Sequence, residues 1–262
     1  MSAFLPILRY QMRDVVRSRW LPGYAVFFLL LTEALFYFGD GAGERVLVSL
    51  VNVVLLLTPL VSVAFGTFYL YGAREFVEML LSQPVKRSTL YGGLYAGLAI
   101  PFSAAFVLGS GIPFFVHTGT ASLGGAAAIF LVGVLITLAF TALAFLIAVG
   151  VEERVHGMGL SIGAWLVAAV LYDGLVLAVA AAFSSYPLEK AMIALMLLNP
   201  IDLARVLLLL QFDVAALMGY TGAVFEQFFG SGLGIAIAGT ALLAWAAFPL
   251  VAGMRVFARK DL

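Results

Sequence analysis

Five residues in a row, Glu152-Glu153-Arg154-Val155-His156, carry the acid, base and cation types that could hold a metal ion or activate a water molecule. Paired carboxylates beside a histidine are what metal-assisted hydrolysis needs, provided that a second histidine or carboxylate reaches the same ion. The other histidine, His117, belongs to a different part of the chain and, in the topology below, to the opposite face of a membrane. No metal site is therefore expected. Met192, Met196 and Met218 could offer thioethers to Cu(I), but adaptable packing in short helices is the simpler role for them. Glu33 and Asp173 are ionisable residues inside apolar stretches, and such residues are by default functional candidates. Each stands within a turn or two of the outer end of its stretch, where Arg45 or Lys190 could satisfy it. No G-x-x-x-x-G-K-[ST] phosphate loop occurs, so ATP is not expected to bind to this chain. Gly157-Met158-Gly159 reads as a flexible entry to a span rather than a nucleotide loop.

The elements that must position these residues are set by composition. Of the 262 residues 64% are apolar and 11% charged, with no cysteine, and the long uncharged runs exceed what a soluble domain of this size could bury. An all-α polytopic membrane protein follows. A spanning helix takes about 20 mainly apolar residues, which predicts six: Trp20–Phe38, Val46–Tyr71, Leu90–Phe115, Ala126–Val151, Met158–Phe183 and Ser231–Gly253. Residues 1–19 read as an interfacial helix, with Phe4, Leu8, Met12 and Val15/Val16 on one face and Arg9, Arg13 and Arg17 on another, at home among lipid headgroups. This start lacks the uninterrupted apolar core and cleavage pattern of a signal peptide, so it is expected to be retained.

Orientation follows from basic residues. With the N-terminus inside, eleven Lys and Arg lie on the cytoplasmic side and only Arg45, Lys190 and Arg205 on the other, which places both termini in the cytoplasm. Residues 184–230 then face outward. Within them Asn199 is a good N-cap, Pro200 suits a first helical position and Asp202 favours the helix dipole, so a helix begins near Pro200 with Asp202 and Arg205 paired across one turn. Drawing Ala191–Gln211 as a seventh span would bury an Asp and an Arg near its middle, at roughly 2.5–3.5 kcal/mol each; short external or re-entrant helices are the better reading. On the inner side, residues 72–89 are longer than a connection requires, with room for two to three helical turns up to Pro84, which disfavours helix at Gln83.

The run Glu78-Met79-Leu80-Leu81-Ser82-Gln83-Pro84-Val85-Lys86-Arg87-Ser88-Thr89-Leu90, the N-terminal interfacial helix, the six spans and the closing Arg255-Val256-Phe257-Ala258-Arg259-Lys260-Asp261-Leu262 together resemble an ABC-2 type transporter permease over essentially the whole chain, residues 1–262 as a single transmembrane domain. Leu198–Arg205 and Gln211–Gly222 are most similar to the permeases that serve maturation of nitrous oxide reductase. One departure is Gly93-Leu94, where many members open the third span with a lysine.

The resemblance implies a homodimer in the bacterial inner membrane carrying two cytoplasmic ATPase subunits, with ATP and Mg2+ bound on those partners and no cofactor in this chain. It implies that Arg74, Glu75, Phe76, Glu78, Leu81 and Gln83 form a coupling helix seated in an ATPase groove. It also implies that Asn199, Pro200, Asp202, Arg205, Gln211 and Asp213 meet a periplasmic partner, a β-helix protein acting with a copper chaperone lipoprotein. The expected output is export of a sulfur species or mechanical control of copper transfer for a copper–sulfur centre. A general exporter permease, an ion-coupled transporter and a channel are the alternatives. Lipid is an expected partner; nucleic acid is not.

Overall fold

The computed structural model describes residues 4–39, 43–118, 123–183, 189–212 and 220–260, and the described residues are almost entirely helical. The helices are α1 (Phe4–Arg17), α2 (Trp20–Phe38), α3 (Gly43–Gly72), α4 (Arg74–Leu81), α5 (Arg87–Thr118), α6 (Leu123–Gly150), α7 (Arg154–Leu166), α8 (Tyr172–Ala182), α9 (Glu189–Leu197), α10 (Pro200–Phe212) and α11 (Tyr220–Arg259), with one π-helical turn, Val167–Leu171, joining α7 to α8. Six stretches are long and apolar enough to cross a bilayer: Trp20–Phe38, Val46–Gly72, Arg87–His117, Gly124–Gly150, Arg154–Ala182 and Gly232–Arg259. All six expected spans are present. Their ends run a few residues further than hydropathy suggests because Arg87, Arg154 and Arg259 continue the helix into the interface, where long basic side chains reach polar surroundings.

Helix α6 is the axis of the molecule. Ile129, Val132, Ile136, Phe140 and Phe145 are buried along it, and α3, α5, α10 and α11 pack around it. Prolines 59, 101, 113 and 249 lie inside long helices, as membrane spans permit when neighbouring helices and side chains satisfy the freed backbone groups. In contrast, the span from Arg154 to Ala182 is almost uncovered: Val155, Leu160, Val167, Val170, Leu171 and Leu177 are all exposed.

Helix α11 begins at Tyr220, within the segment expected to face outward, and its stretch long and apolar enough to cross a bilayer begins at Gly232. One element differs from the sequence expectation: helix α1 does more than rest at a membrane surface. It docks on α5 through Ile7, Gln11 and Val15, all buried. A Cβ at Gly93 would come within 2.7 Å of Ile7 Cγ2, so the absence of a side chain at this position is what lets α1 close on α5.

The stretch from α9 to α10 is a helix pair bent by 106° at Leu198-Asn199. Leu203, Ala204 and Leu208 of α10 are fully buried against α11 and α6. The break falls at the predicted cap, and by length and composition the bent pair fits either a re-entrant loop or a broken seventh span.

Candidate coupling surface and outer network

Helix α4 has two faces. Val77 is buried, Phe76, Leu80 and Leu81 pack partly against the core, and the Phe76 ring stacks on Tyr10 of α1 with centroids 5.2 Å apart and planes 9° from parallel. The other face, Glu75, Glu78, Met79 and Ser82, recurs at helical spacing and is exposed. Arg74 Nε donates to Glu78 Oε1 at 3.3 Å, an exposed i,i+4 pair worth only about 0.3–0.5 kcal/mol. Of the six residues expected to couple, Arg74, Glu75, Glu78 and Gln83 are therefore available to a partner, whereas Phe76 and Leu81 hold the helix to its own chain. Met79, 56% exposed at the centre of the open face, belongs with the former and was missed, although the i, i+3, i+4, i+7 spacing from Glu75 would have found it.

The mount beneath α4 is a set of hydrogen bonds between span ends. Tyr71 Oη donates to the Val151 carbonyl at 2.8 Å, and a Cβ on Gly157 would overlap that hydroxyl at 1.9 Å. Lys260 Nζ donates to the Val149 carbonyl at 3.0 Å and lies 3.4 Å from Glu152, while Arg87 donates to the Lys260 carbonyl. The starts or ends of α3, α5, α6, α7 and α11 are thereby tied together.

The same span ends hold the run Glu152-Glu153-Arg154-Val155-His156. Glu152 meets Lys260, Glu153 lies 2.6 Å from His156, and the Arg154 guanidinium sits 4.6 Å from the centroid of the Phe68 ring. His117 pairs instead with Glu33 at 2.8 Å and stacks on Phe36, joining α2 to α5. Glu33 thus has His117 as a partner, which adjacency along the sequence did not suggest; the side chain of Arg45 lies outside the described residues. Among the described residues no three His, Cys, Asp or Glu cluster as metal ligands. Met192 and Met196 are buried in the packing of α9, and Met218 lies outside the described residues.

At the other end of the molecule Arg205 Nη1 lies 3.1 Å from Asp173 Oδ2 and 3.3 Å from Asp202 Oδ1. The i,i+3 pair was expected; the bond to Asp173 was not, because Lys190 seemed the nearer cation in sequence. Asn199 does two jobs: its Oδ1 accepts from the Ile201 N–H at 3.0 Å as a cap, and its Nδ2 donates to the Ala168 carbonyl at 2.9 Å. Ala168 is in the π turn, where the wider helix leaves a carbonyl free for such a donor. Tyr172 Oη donates to the Leu195 carbonyl at 2.5 Å, and Trp245 Nε1 to that of Leu197 at 3.0 Å. Asn199, Pro200 and Asp202 are buried, so their polar atoms are spent inside the chain. Asp213 lies outside the described residues, as does the side chain of Gln211.

Residues 52–262 match the family described as "ABC-2 family transporter protein". Among curated proteins, the "Probable ABC transporter permease protein NosY" of Pseudomonas aeruginosa is 27% identical over 230 residues, covering 81% of this chain and 84% of that protein. The protein of the same description from Stutzerimonas stutzeri is 24% identical over 273 aligned positions, covering 97% of each.

Proposed function

The chain belongs to the ABC-2 family of transporter proteins and is a multi-pass membrane permease of that kind, and we propose that it transmits ATP hydrolysis by a separate cytoplasmic ATPase to the outer face of the bacterial inner membrane. The observation that carries this reading is α4: a short helix with an open face of Glu75, Glu78, Met79 and Ser82, mounted on the joined inner ends of five other helices. A push on that face would reach the spans directly, because the mount is hydrogen-bonded rather than loosely looped. Two permease copies, each with one ATPase carrying ATP and Mg2+, make up the working unit, and the uncovered apolar face of α7–α8 is where the second copy would pack. Both termini are cytoplasmic in this reading.

The likeness to NosY proteins supports a role in maturation of nitrous oxide reductase, with output as sulfur-species export or as movement that controls copper transfer between a periplasmic β-helix protein and a copper lipoprotein. Since Asn199, Pro200 and Asp202 are buried, they would hold α10 in place, leaving Arg205, Gln211 and Asp213 as the nearer candidates for partner contact. Export of another substrate remains the second reading, favoured by the broader family match alone.

In the purified complex, Glu78→Lys should lower ATPase association or partner-dependent ATP hydrolysis several-fold. Normal stoichiometry and normal hydrolysis in that variant would retire the coupling role of α4. Photo-crosslinkers at Gln211, Asp213 and Gln227 should capture a periplasmic protein, and capture of none, with the ATPase complex intact, returns the general-exporter reading to first place.

A further inference from the structure

Between α1, α2, α3 and the start of α4 lies a cavity of about 310 Å3 that none of the preceding functions uses. Its walls are unusually aromatic. The stacked rings of Tyr10 and Phe76 form one side, Trp20 meets Phe65 edge-on at 5.4 Å on another, and Phe102 lies 5.6 Å from Phe65 behind them. Aromatic faces carry negative potential and attract cations, more strongly where water is partly excluded.

Asp14 is the one carboxylate among the described residues that line the cavity, and it makes no ion pair among the described residues. No lysine or arginine lines it; the Arg154 guanidinium lies against the ring of Phe68, a lining residue, so the rings left to a ligand are those of Tyr10, Trp20, Phe65, Phe76 and Phe102. The arginines of α1 are turned away: Arg9, Arg13 and Arg17 line a separate groove with Leu5, Met12 and Val16 on the other side of the helix. An anion would be drawn to that groove and repelled by Asp14. The volume falls at the lower end of the range for small-molecule sites, which are mostly apolar with a few polar groups fixing orientation.

We propose that this cavity binds an amphiphilic cation, an ammonium group held between Asp14 and the aromatic faces with its hydrocarbon part against Phe65 and Phe102. The site stands independently of the role given to α4, although it borders that helix through Phe76. The ammonium could come from the headgroup of an amine-bearing lipid or from a soluble hydrophobic amine.

The test is a fluorescence titration of the full-length chain in neutral maltoside micelles with decyltrimethylammonium as the probe, read from Trp20. Wild type should give a saturable change that disappears in Trp20→Phe, while decyl sulfate over the same range gives none. Asp14→Asn should weaken the probe about tenfold, and Arg13→Gln, on the opposite face, should leave it within about twofold. Asp14 is on the surface, so its variant should fold; Tyr10→Leu, which removes one aromatic wall, should also weaken binding several-fold. Competition by added phosphatidylethanolamine but not phosphatidylglycerol would identify a lipid amine as the source, and competition by neither would identify a soluble cation. Equal binding of decyl sulfate, or unchanged affinity in both Asp14→Asn and Tyr10→Leu, would overturn the proposal.

Discussion

Two carboxylates converge on Arg205, which makes it the residue with most to lose on substitution. Replacing it by Met leaves Asp173 and Asp202 without their cation, with Asp202 already buried. A fully buried pair broken in this way costs roughly 3–5 kcal/mol; with Arg205 and Asp173 partly exposed, about 2 kcal/mol is expected. Thermal unfolding in detergent should show the loss, and adding Asp173→Asn and Asp202→Asn should recover most of it. A triple variant no better than Arg205→Met would show that the charges were not the cause. This bond was out of reach of the sequence because 32 positions separate its partners, and adjacency along the chain favoured Lys190. Glu33 and His117 were hidden for the same reason, at a separation of 84.

At the scale of the element, Asn199 joins α10 to the π turn by two bonds of different kinds, so its two functions can be separated. Asn199→Ala should cost about 2 kcal/mol, roughly one for the cap and one for the lost donor to Ala168. Asn199→Ser keeps a capping oxygen without adding charge and loses the donor to Ala168, so unfolding measurements should place it between Ala and wild type. A Ser variant as unstable as Ala would mean that the cap contributes nothing. The cap itself was legible, since Asn-Pro-x-Asp is a helix start by local chemistry alone. The burial of α10 was not, because hydropathy cannot distinguish an apolar helix covered by protein from one covered by lipid. Helix α4 was legible as a helix for its length and its Pro84 stop, yet which way Phe76 points depends on Tyr10, on another helix.

For the whole molecule, the spans were readable because nothing but a bilayer could cover so many apolar residues, and their direction rests on eleven basic residues against three. The cysteine-free chain allows a direct check. A single cysteine at Ser88 should resist a membrane-impermeant thiol reagent in intact cells, while one at Phe38, 81% exposed at the far end of α2, should react; the opposite pattern would invert the topology. The apolar flank of α7–α8 makes a second prediction. Cysteines at Val167, Val170 and Leu171, one at a time, should cross-link two copies under mild oxidation for at least one position, and failure at all three would place the dimer contact elsewhere.

The π turn at Val167–Leu171 lets this span hold one residue more than a regular helix without turning its two ends against each other. Below it, Trp165 addresses α3 by donating to the Leu56 carbonyl at 3.0 Å; above it, Tyr172 and Asp173 address α9 and α10. A π turn amounts to one residue more than an α-helix would hold. Deleting Ala169 would restore regular winding and leave both ends in phase, so the loss would fall on the Ala168 carbonyl that the wide turn leaves open to Asn199. Deleting Gly163 from the regular winding of α7 would instead turn Trp165 by about 100° relative to the residues before it. The extra residue thus serves as an opening in the backbone rather than as a spacer between neighbours.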